Sequence, residues 1–173
     1  MPVWKWIPCV VGLWLVAAPV RAAPPDDKPQ GHLPFVVFSG SAGLQNLVVL
    51  SLAQDSDGFL WLATEDGVYR YDGVDFTHFS VEEGLASTQV YVVGIAPDGR
   101  ACAGGRAGLA CWDGVQFVRV RGVPDVPVRT LASYAGRLWV GTDGAGLYVQ
   151  GPGGGFAAAR EWPGAPTNAV RAM

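Results

Sequence analysis

The sequence has few charged residues and very little histidine, and these shortages exclude several classes of function. Only 16% of its residues are charged and the formal net charge is −3, so the chain lacks the basic footprint of a nucleic-acid-binding protein. The two histidines, His32 and His78, lie far apart, and no His/Cys/Asp cluster has the spacing of a metal site. We therefore predict no nucleic-acid partner, no metal and no cofactor.

A sustained helical pattern is also absent from the body of the chain. No window of 11 or more residues shows the apolar spacing of an amphipathic helix. The chain instead contains 24 glycines and 13 prolines, which separate short apolar runs. Short apolar runs with frequent Gly-rich turns are typical of all-β proteins, and we predict that fold class.

Residues 1–22 have the pattern of a secretory signal peptide. Lys5 precedes an uncharged run, Ile7 to Val20, and small residues follow at the expected cleavage position after Ala22. The run is shorter than the roughly 20 residues that a membrane-spanning helix needs. We predict a signal peptide at 1–22 and a disordered leader at 23–33. Cleavage would leave a mature chain with a net charge of about −5.

The remaining sequence repeats itself. A Val-x-x-apolar pair begins at Val49, Val90, Val128 and Val170, which are steps of 41, 38 and 42 residues. The first repeat predicts four strands, at about 48–54, 59–64, 67–71 and 76–80. Four strands in roughly 40 residues are typical of one β-propeller blade. We expect Trp61 and Trp139 to fill the gaps between blades.

These repeats predict an incomplete β-propeller over residues 34–173. The blades are expected at about 48–80, 89–120 and 127–160, with the start of a further blade at 169. Phe38 lies 41 residues before Phe79, so the last strand of an earlier blade is expected to precede the first complete one. Three four-stranded blades plus parts of two flanking blades cannot close a ring, so we expect the chain to be a fragment.

The repeat resembles that of the two-component regulator propeller family. Leu60–Thr64 (LWLAT) followed by Gly67–Gly73 (GVYRYDG) forms one copy, and Leu138–Thr142 with Gly146–Tyr148 forms another. The middle unit departs from the pattern, because Cys102 stands where Trp61 does in the first unit. The resemblance implies a sensor propeller in the bacterial periplasm. The resemblance also implies a transmembrane receptor, whose output domain is usually a histidine kinase or a diguanylate cyclase.

The expected function is therefore ligand sensing in the periplasm by part of a transmembrane receptor of two-component type, truncated before its output domain. The region itself would not be an enzyme, and any kinase or cyclase activity would belong to a full-length parent. The partner would be an unidentified small molecule or glycan, and the membrane would be reached only through a missing C-terminal part. A homodimer is a possible assembly of the full-length receptor. The alternatives are a secreted carbohydrate-binding or scaffold module and a propeller lyase.

Two loops and four aromatic residues are weaker candidates for a site. Asp55-Ser56-Asp57-Gly58 resembles part of a calcium loop, but Ala53 occupies a ligand position, and a turn is the better interpretation. The Gly-rich loop at 104–108 is followed by a strand and is also interpreted as a turn. Sugars or peptides could stack on exposed aromatic rings, for which the candidates by residue type are Tyr91, Trp112, Tyr134 and Trp162.

The cysteines give the most specific structural hypothesis. Cys9 leaves with the signal peptide, so two cysteines remain in an oxidising compartment. If the second and third strands pair around a two-residue turn, Cys102 stands opposite Cys111 in a pair that is not hydrogen-bonded. The Cα atoms of such a pair are about 4.5 Å apart, which suits a disulfide. We therefore predict a Cys102–Cys111 disulfide, and the alternative is two reduced, buried thiols.

Overall fold

The computed structural model describes residues 37–38, 40, 43–159 and 170, so the predicted signal peptide and leader lie outside the described residues. Those residues form three antiparallel sheets of four strands, and the only helical geometry among them is 3₁₀, at Gly40. In each sheet the strands follow one another in chain order. The prediction of an all-β, propeller-type fold is confirmed.

Each sheet is one blade, and its strands run in sequence from the inner edge to the outer edge. Blade 1 contains β1 Val49–Gln54, β2 Leu60–Thr64, β3 Gly67–Tyr71 and β4 Phe76–Phe79. Blade 2 contains β5 Val90–Ile95, β6 Ala101–Gly105, β7 Gly108–Trp112 and β8 Phe117–Arg119. Blade 3 contains β9 Val128–Tyr134, β10 Arg137–Thr142, β11 Leu147–Gln150 and β12 Phe156–Ala158.

The central hairpins of blades 1 and 2 have the same register, and the turn of the blade 3 hairpin is one residue longer. Trp61 pairs with Arg70 in blade 1, and Cys102 pairs with Cys111 in blade 2. In blade 3, Trp139 pairs with Val149. The register therefore defines equivalent positions in the three blades, and the predicted alignment of Cys102 with Cys111 is confirmed.

Small residues set the distance between neighbouring blades. Gly104 of blade 2 lies so close to Val128 of blade 3 that a Cβ atom would overlap its side chain. Gly141 is equivalent to Gly104, and a Cβ atom there would lie 2.8 Å from Cγ1 of Val170. The Val170 amide also donates to the Thr142 carbonyl at 2.8 Å. Val170 thus meets blade 3 as Val128 meets blade 2.

The aromatic contacts before blade 1 follow the same repeat. The ring of Phe38 lies 5.0 Å from Tyr71 and 5.4 Å from Phe76. Forty-one residues later, Phe79 lies 4.8 Å from Trp112 and 5.6 Å from Phe117. Phe38 therefore occupies the place of a last-strand residue in the blade that precedes blade 1.

The connector between blades 1 and 2 depends on a glycine. Gly84 has a φ of +92°, and a Cβ atom on it would overlap the carbonyl oxygen of Phe117. The Phe117 amide donates to the Glu83 carbonyl at 2.8 Å, and the Glu83 carboxylate accepts the Ser80 amide at 2.7 Å. The connector is therefore bonded to the outer strand of the following blade.

The two tryptophans that were expected to fill gaps between blades differ in burial. Trp61 is 2% exposed, because blade 2 covers the face of blade 1 on which it lies. Trp139, its equivalent in blade 3, is only partly buried. Its indole Nε1 donates to the Tyr134 carbonyl at 3.3 Å. The expectation that these tryptophans fill gaps between blades is met fully at Trp61 and only in part at Trp139.

This difference in burial predicts that truncating the two tryptophans to alanine lowers the free energy of unfolding by unequal amounts. Trp61→Ala should lower the free energy of unfolding by about 3–5 kcal/mol, because it empties a buried site. Trp139→Ala should cost less, about 1–2 kcal/mol, because less apolar surface is lost from the interior. Urea denaturation of both variants tests the ranking, and equal losses would contradict it.

The backbone hydrogen bonds of two aspartates should make the free energy of unfolding depend on pH. Asp72 accepts the amides of Val74 and Asp75 at 2.8 Å, and Asp113 accepts those of Val115 and Gln116 at 2.9 Å. These backbone donors hold the pKa of both carboxyl groups below its usual value of 3.8.

Because the folded-state pKa values are depressed, this contribution is present above the unfolded pKa. It is lost as pH falls through the folded pKa. We expect the free energy of unfolding to decline below about pH 4. The double variant Asp72→Asn/Asp113→Asn should show a flatter decline in denaturant titrations at several pH values, and an unchanged slope would refute the assignment.

Candidate functional site

An aromatic cluster fills the gap between blades 1 and 2. The Trp61 indole lies at its centre, with ring centroids 5.9 Å from Phe79, 5.8 Å from Trp112 and 6.0 Å from Phe117. The Asp55 carboxylate accepts a hydrogen bond from the Trp61 Nε1 at 2.7 Å and fixes the indole. Because Trp61, Phe79 and Phe117 are buried, the gap is closed by protein side chains.

Arg70 completes this aromatic cluster. Its guanidinium carbon lies 4.9 Å from the Phe59 ring, 5.7 Å from Trp61 and 5.9 Å from Trp112. Cation–π attraction to several rings stabilises an arginine in such a place. Its Nε is buried without a hydrogen-bond partner in the described residues, so the aromatic faces are its main surroundings.

A disulfide takes the place of the Trp61–Arg70 pair in the gap between blades 2 and 3. Cys102 is equivalent to Trp61 and Cys111 to Arg70, and the structure joins the two cysteines with Cα atoms 4.0 Å apart. Both residues are buried. Two compact side chains therefore stand where blade 1 has an indole and a guanidinium group.

Other positions around the disulfide are also smaller than their equivalents. Val120 replaces Phe79, and Gln150 replaces Trp112, whereas Phe156 keeps the aromatic ring of Phe117. The result is a cavity of about 150 Å³ between blades 2 and 3. All the replacement residues line it: Cys102, Cys111, Val120, Gln150 and Phe156. The cavity thus occupies the space that the aromatic cluster fills one blade earlier.

Arginines surround the mouth of this cavity. Arg100, Arg119 and Arg121 are lining residues with exposed side chains. Arg100 pairs with Asp98 at 2.7 Å, and Arg119 reaches Asp125 at 3.0 Å. The Arg100 guanidinium lowers the pKa of Asp98, so that carboxylate is ionised at neutral pH.

An open hollow of about 390 Å³ adjoins the cavity and shares Gln150 and Gly154 with it. Arg137 lines the hollow on the blade 3 side, and Asp98 lines it on the blade 2 side. The cavity and the hollow together form a site with an apolar floor and a largely cationic rim. Such a site can hold a small organic anion.

The aromatic candidates from the sequence lie elsewhere. Tyr91 faces the Arg129 guanidinium at 4.1 Å, and Trp112 belongs to the aromatic cluster. Tyr134 is 73% exposed, and Trp162 lies outside the described residues. These residues do not converge on the cavity between blades 2 and 3.

The loop at Asp55 is a turn, as the sequence indicated. Its carboxylate accepts the amides of Asp57 at 3.1 Å and Phe59 at 3.0 Å. No group of three or more His, Cys, Asp or Glu suited to a metal ion occurs in the described part of the chain. Among those same residues, no helix is long and apolar enough to cross a membrane.

Residues of the repeat motif serve the architecture. The hydroxyl of the fully buried Thr64 lies 2.6 Å from the Asp66 carboxylate and 2.9 Å from the Gly67 carbonyl, and it closes the β2–β3 turn. The Tyr69 hydroxyl donates to Asp66 at 3.1 Å, and burial raises the pKa of Tyr69. A neutral phenol therefore holds this turn together.

Sequence reasoning found the cysteine pair but missed the cavity around it. The residues it missed are Arg100, Arg121, Val120, Gln150 and Phe156. A comparison of equivalent positions in the three repeats contains the information, since several bulky residues of the first gap become small in the second. The loss of volume at one gap, rather than any motif, was the signal.

The disulfide predicts a defined chemical state of the exported protein. Alkylation without prior reduction should leave Cys102 and Cys111 unmodified in folded material, as peptide mass spectrometry would show. Closing so short a loop should contribute about 2–3 kcal/mol to the free energy of unfolding. The double variant Cys102→Ala/Cys111→Ala should lose that contribution to the free energy of unfolding. Two alkylated thiols in folded wild-type protein would refute the bridge.

The comparisons with known proteins agree with the repeat and the fold. Residues 43–66 match the family model described as two component regulator propeller. Among curated proteins, no sequence matches the chain. Among solved structures, the chain is similar to the extracellular domains of two proteins of B. thetaiotaomicron described as hybrid two component systems, BT3049 and BT4673.

The BT3049 domain is 23% identical, with a TM-score of 0.67 over 79% of this chain. The BT4673 domain is also 23% identical, with a TM-score of 0.57 over 64% of this chain. The matched regions span 22% and 16% of the lengths of those structures, and at this identity the likeness concerns the fold. The chain is thus a propeller-type protein similar in fold to these extracellular domains, and its residues 43–66 match the two component regulator propeller model.

Proposed function

We propose that this chain is the periplasmic ligand-sensing propeller region of a bacterial transmembrane receptor of two-component type. The observation that carries the proposal is the fold match, at a TM-score of 0.67, to an extracellular domain from a hybrid two component system. The family match at residues 43–66 and the secretory pattern of residues 1–22 support it. In this proposal the full-length receptor ends in a histidine kinase or a diguanylate cyclase.

The proposal assigns binding, rather than catalysis, to this region. Several carboxylates are engaged in building turns: Asp55, Asp72 and Asp113 each accept backbone amides. The cavity between blades 2 and 3 is lined by residues from both blades. A ligand in it would contact two blades at once. The output domain would read occupancy of the cavity after transmission through the membrane, in a receptor that we propose to be dimeric.

Two observations test this proposal, one on the exported protein and one on the gene. The exported protein should begin at Ala23, or within one residue of it, in N-terminal sequencing of the periplasmic fraction. The reading frame beyond codon 173 should encode a membrane span and a kinase or cyclase. A cytoplasmic product with an intact Met1 would contradict the location. A stop codon without a membrane span would favour a secreted carbohydrate-binding or scaffold module.

A further inference from the structure

We propose that the cavity between blades 2 and 3 binds a monocyclic aromatic carboxylate. Its ring would lie between the Cys102–Cys111 disulfide and Phe156, and its carboxylate would face Arg100 and Arg121 at the mouth. The inference deepens the proposed function and rests on it only for the role of the ligand as a signal. Binding itself is a property of these two blades.

The preference for a ring comes from the equivalent gap between blades 1 and 2. There the Trp61 indole meets the edge of the Phe117 ring at 6.0 Å, with the planes at 89°. Phe156 is the equivalent of Phe117 and lines the cavity, while the place of the indole is taken by Cys102. A ligand ring would therefore restore a contact that the fold already makes once with its own side chain.

The size of the cavity limits the ring to a single one. Its volume is about 150 Å³, and an apolar cavity of about that volume can hold benzene. The floor is apolar, since Leu138 is 1% exposed and the disulfide is buried beside it. Burial of a ring against this floor supplies the hydrophobic part of binding.

The preference for an anion comes from a displaced positive charge. In blade 1 the cation Arg70 lies inside the aromatic cluster, but its equivalent in blade 2 is Cys111. Arg100 stands at the position of Phe59, so a positive charge of blade 2 lies at the mouth, where Asp98 is its partner at 2.7 Å. Arg121 adds a second cation at that rim, which gives a ligand carboxylate a partner besides the Arg100–Asp98 pair. Arginine suits a carboxylate because both groups are planar and can form paired hydrogen bonds.

Gln150 adds a neutral donor to the same site. Its Oε1 accepts the Leu138 amide at 3.4 Å, which leaves the Nε2 hydrogens able to donate to a ligand. Trp112, its equivalent in blade 2, packs on Trp61 and closes the first gap. The second gap therefore differs from the first in three ways that favour a ligand: more space, more positive charge and an amide donor.

Benzoate is the probe for this site, and the experiment is ligand-observed NMR titration of the exported chain with its disulfide intact. Benzyl alcohol provides the ring without the charge, and acetate provides the charge without the ring. We expect saturable binding of benzoate, roughly tenfold weaker binding of benzyl alcohol and none of acetate. Equal affinities for benzoate and benzyl alcohol would overturn the assignment of a carboxylate.

Matched variants place the binding in the cavity. Val120→Phe installs the residue that blade 1 has at that position, fills the space and should abolish saturable binding. Val115→Phe makes the same change at a site that is 83% exposed in the β7–β8 turn, and should leave binding unchanged. Arg121→Ala should weaken benzoate binding roughly fivefold without affecting benzyl alcohol.

The double variant Cys102→Trp/Cys111→Arg transplants the pair of blade 1 and should also abolish binding. If it does not fold, Val120→Phe decides the question while the disulfide is kept. Wild-type affinity in Val120→Phe, or no saturable binding of benzoate by the wild-type chain, would overturn the proposal. Either result would leave the receptor assignment intact, because that assignment is tested by export and by the reading frame.

Discussion

Every feature of this molecule depends on the fact that a four-stranded blade has two faces and only its neighbouring blades can cover them. The distance between neighbours is fixed where backbone meets side chain, at Gly104 against Val128 and at Gly141 against Val170. Gly84 fixes it again where the connector touches the Phe117 backbone. Because these contacts admit no Cβ atom, the blades cannot move together when the side chains between them become smaller.

Because the spacing is fixed, the volume between neighbouring blades must either be filled by side chains or remain as a cavity. Between blades 1 and 2, the Trp61 cluster and the Arg70 guanidinium fill it. Between blades 2 and 3, the disulfide links β6 to β7 across the smaller residues, and a cavity of about 150 Å³ remains. The cross-link offsets part of the lost burial by restricting the unfolded chain. The cavity is therefore a consequence of rigid spacing combined with small residues.

The same constraint explains what the sequence could predict. The 41-residue repeat and the turn glycines predict the strands, their order and the pairing of Cys102 with Cys111, because each of these is local to one hairpin. The burial of Trp139 was predicted only in part, because it depends on what covers blade 3 and not on the strand that contains Trp139. The arginine-filled aromatic cluster was not predicted, since Arg70 reads as an ordinary exposed strand residue until Phe59 and Trp112 are brought around it.

The cavity itself escapes motif reasoning for a physical reason. Trp61, Thr64 and Tyr69 identify the repeat, and all three are buried in packing or turn hydrogen bonds. Residues committed to the architecture cannot also meet a ligand, so positions that follow the motif say little about binding. Positions that break it, such as Val120 in the place of Phe79, leave space that the packing does not fill. In a propeller with rigid spacing, a departure from the repeat creates space at a known place, and the residues around that space set the chemistry of what can fill it.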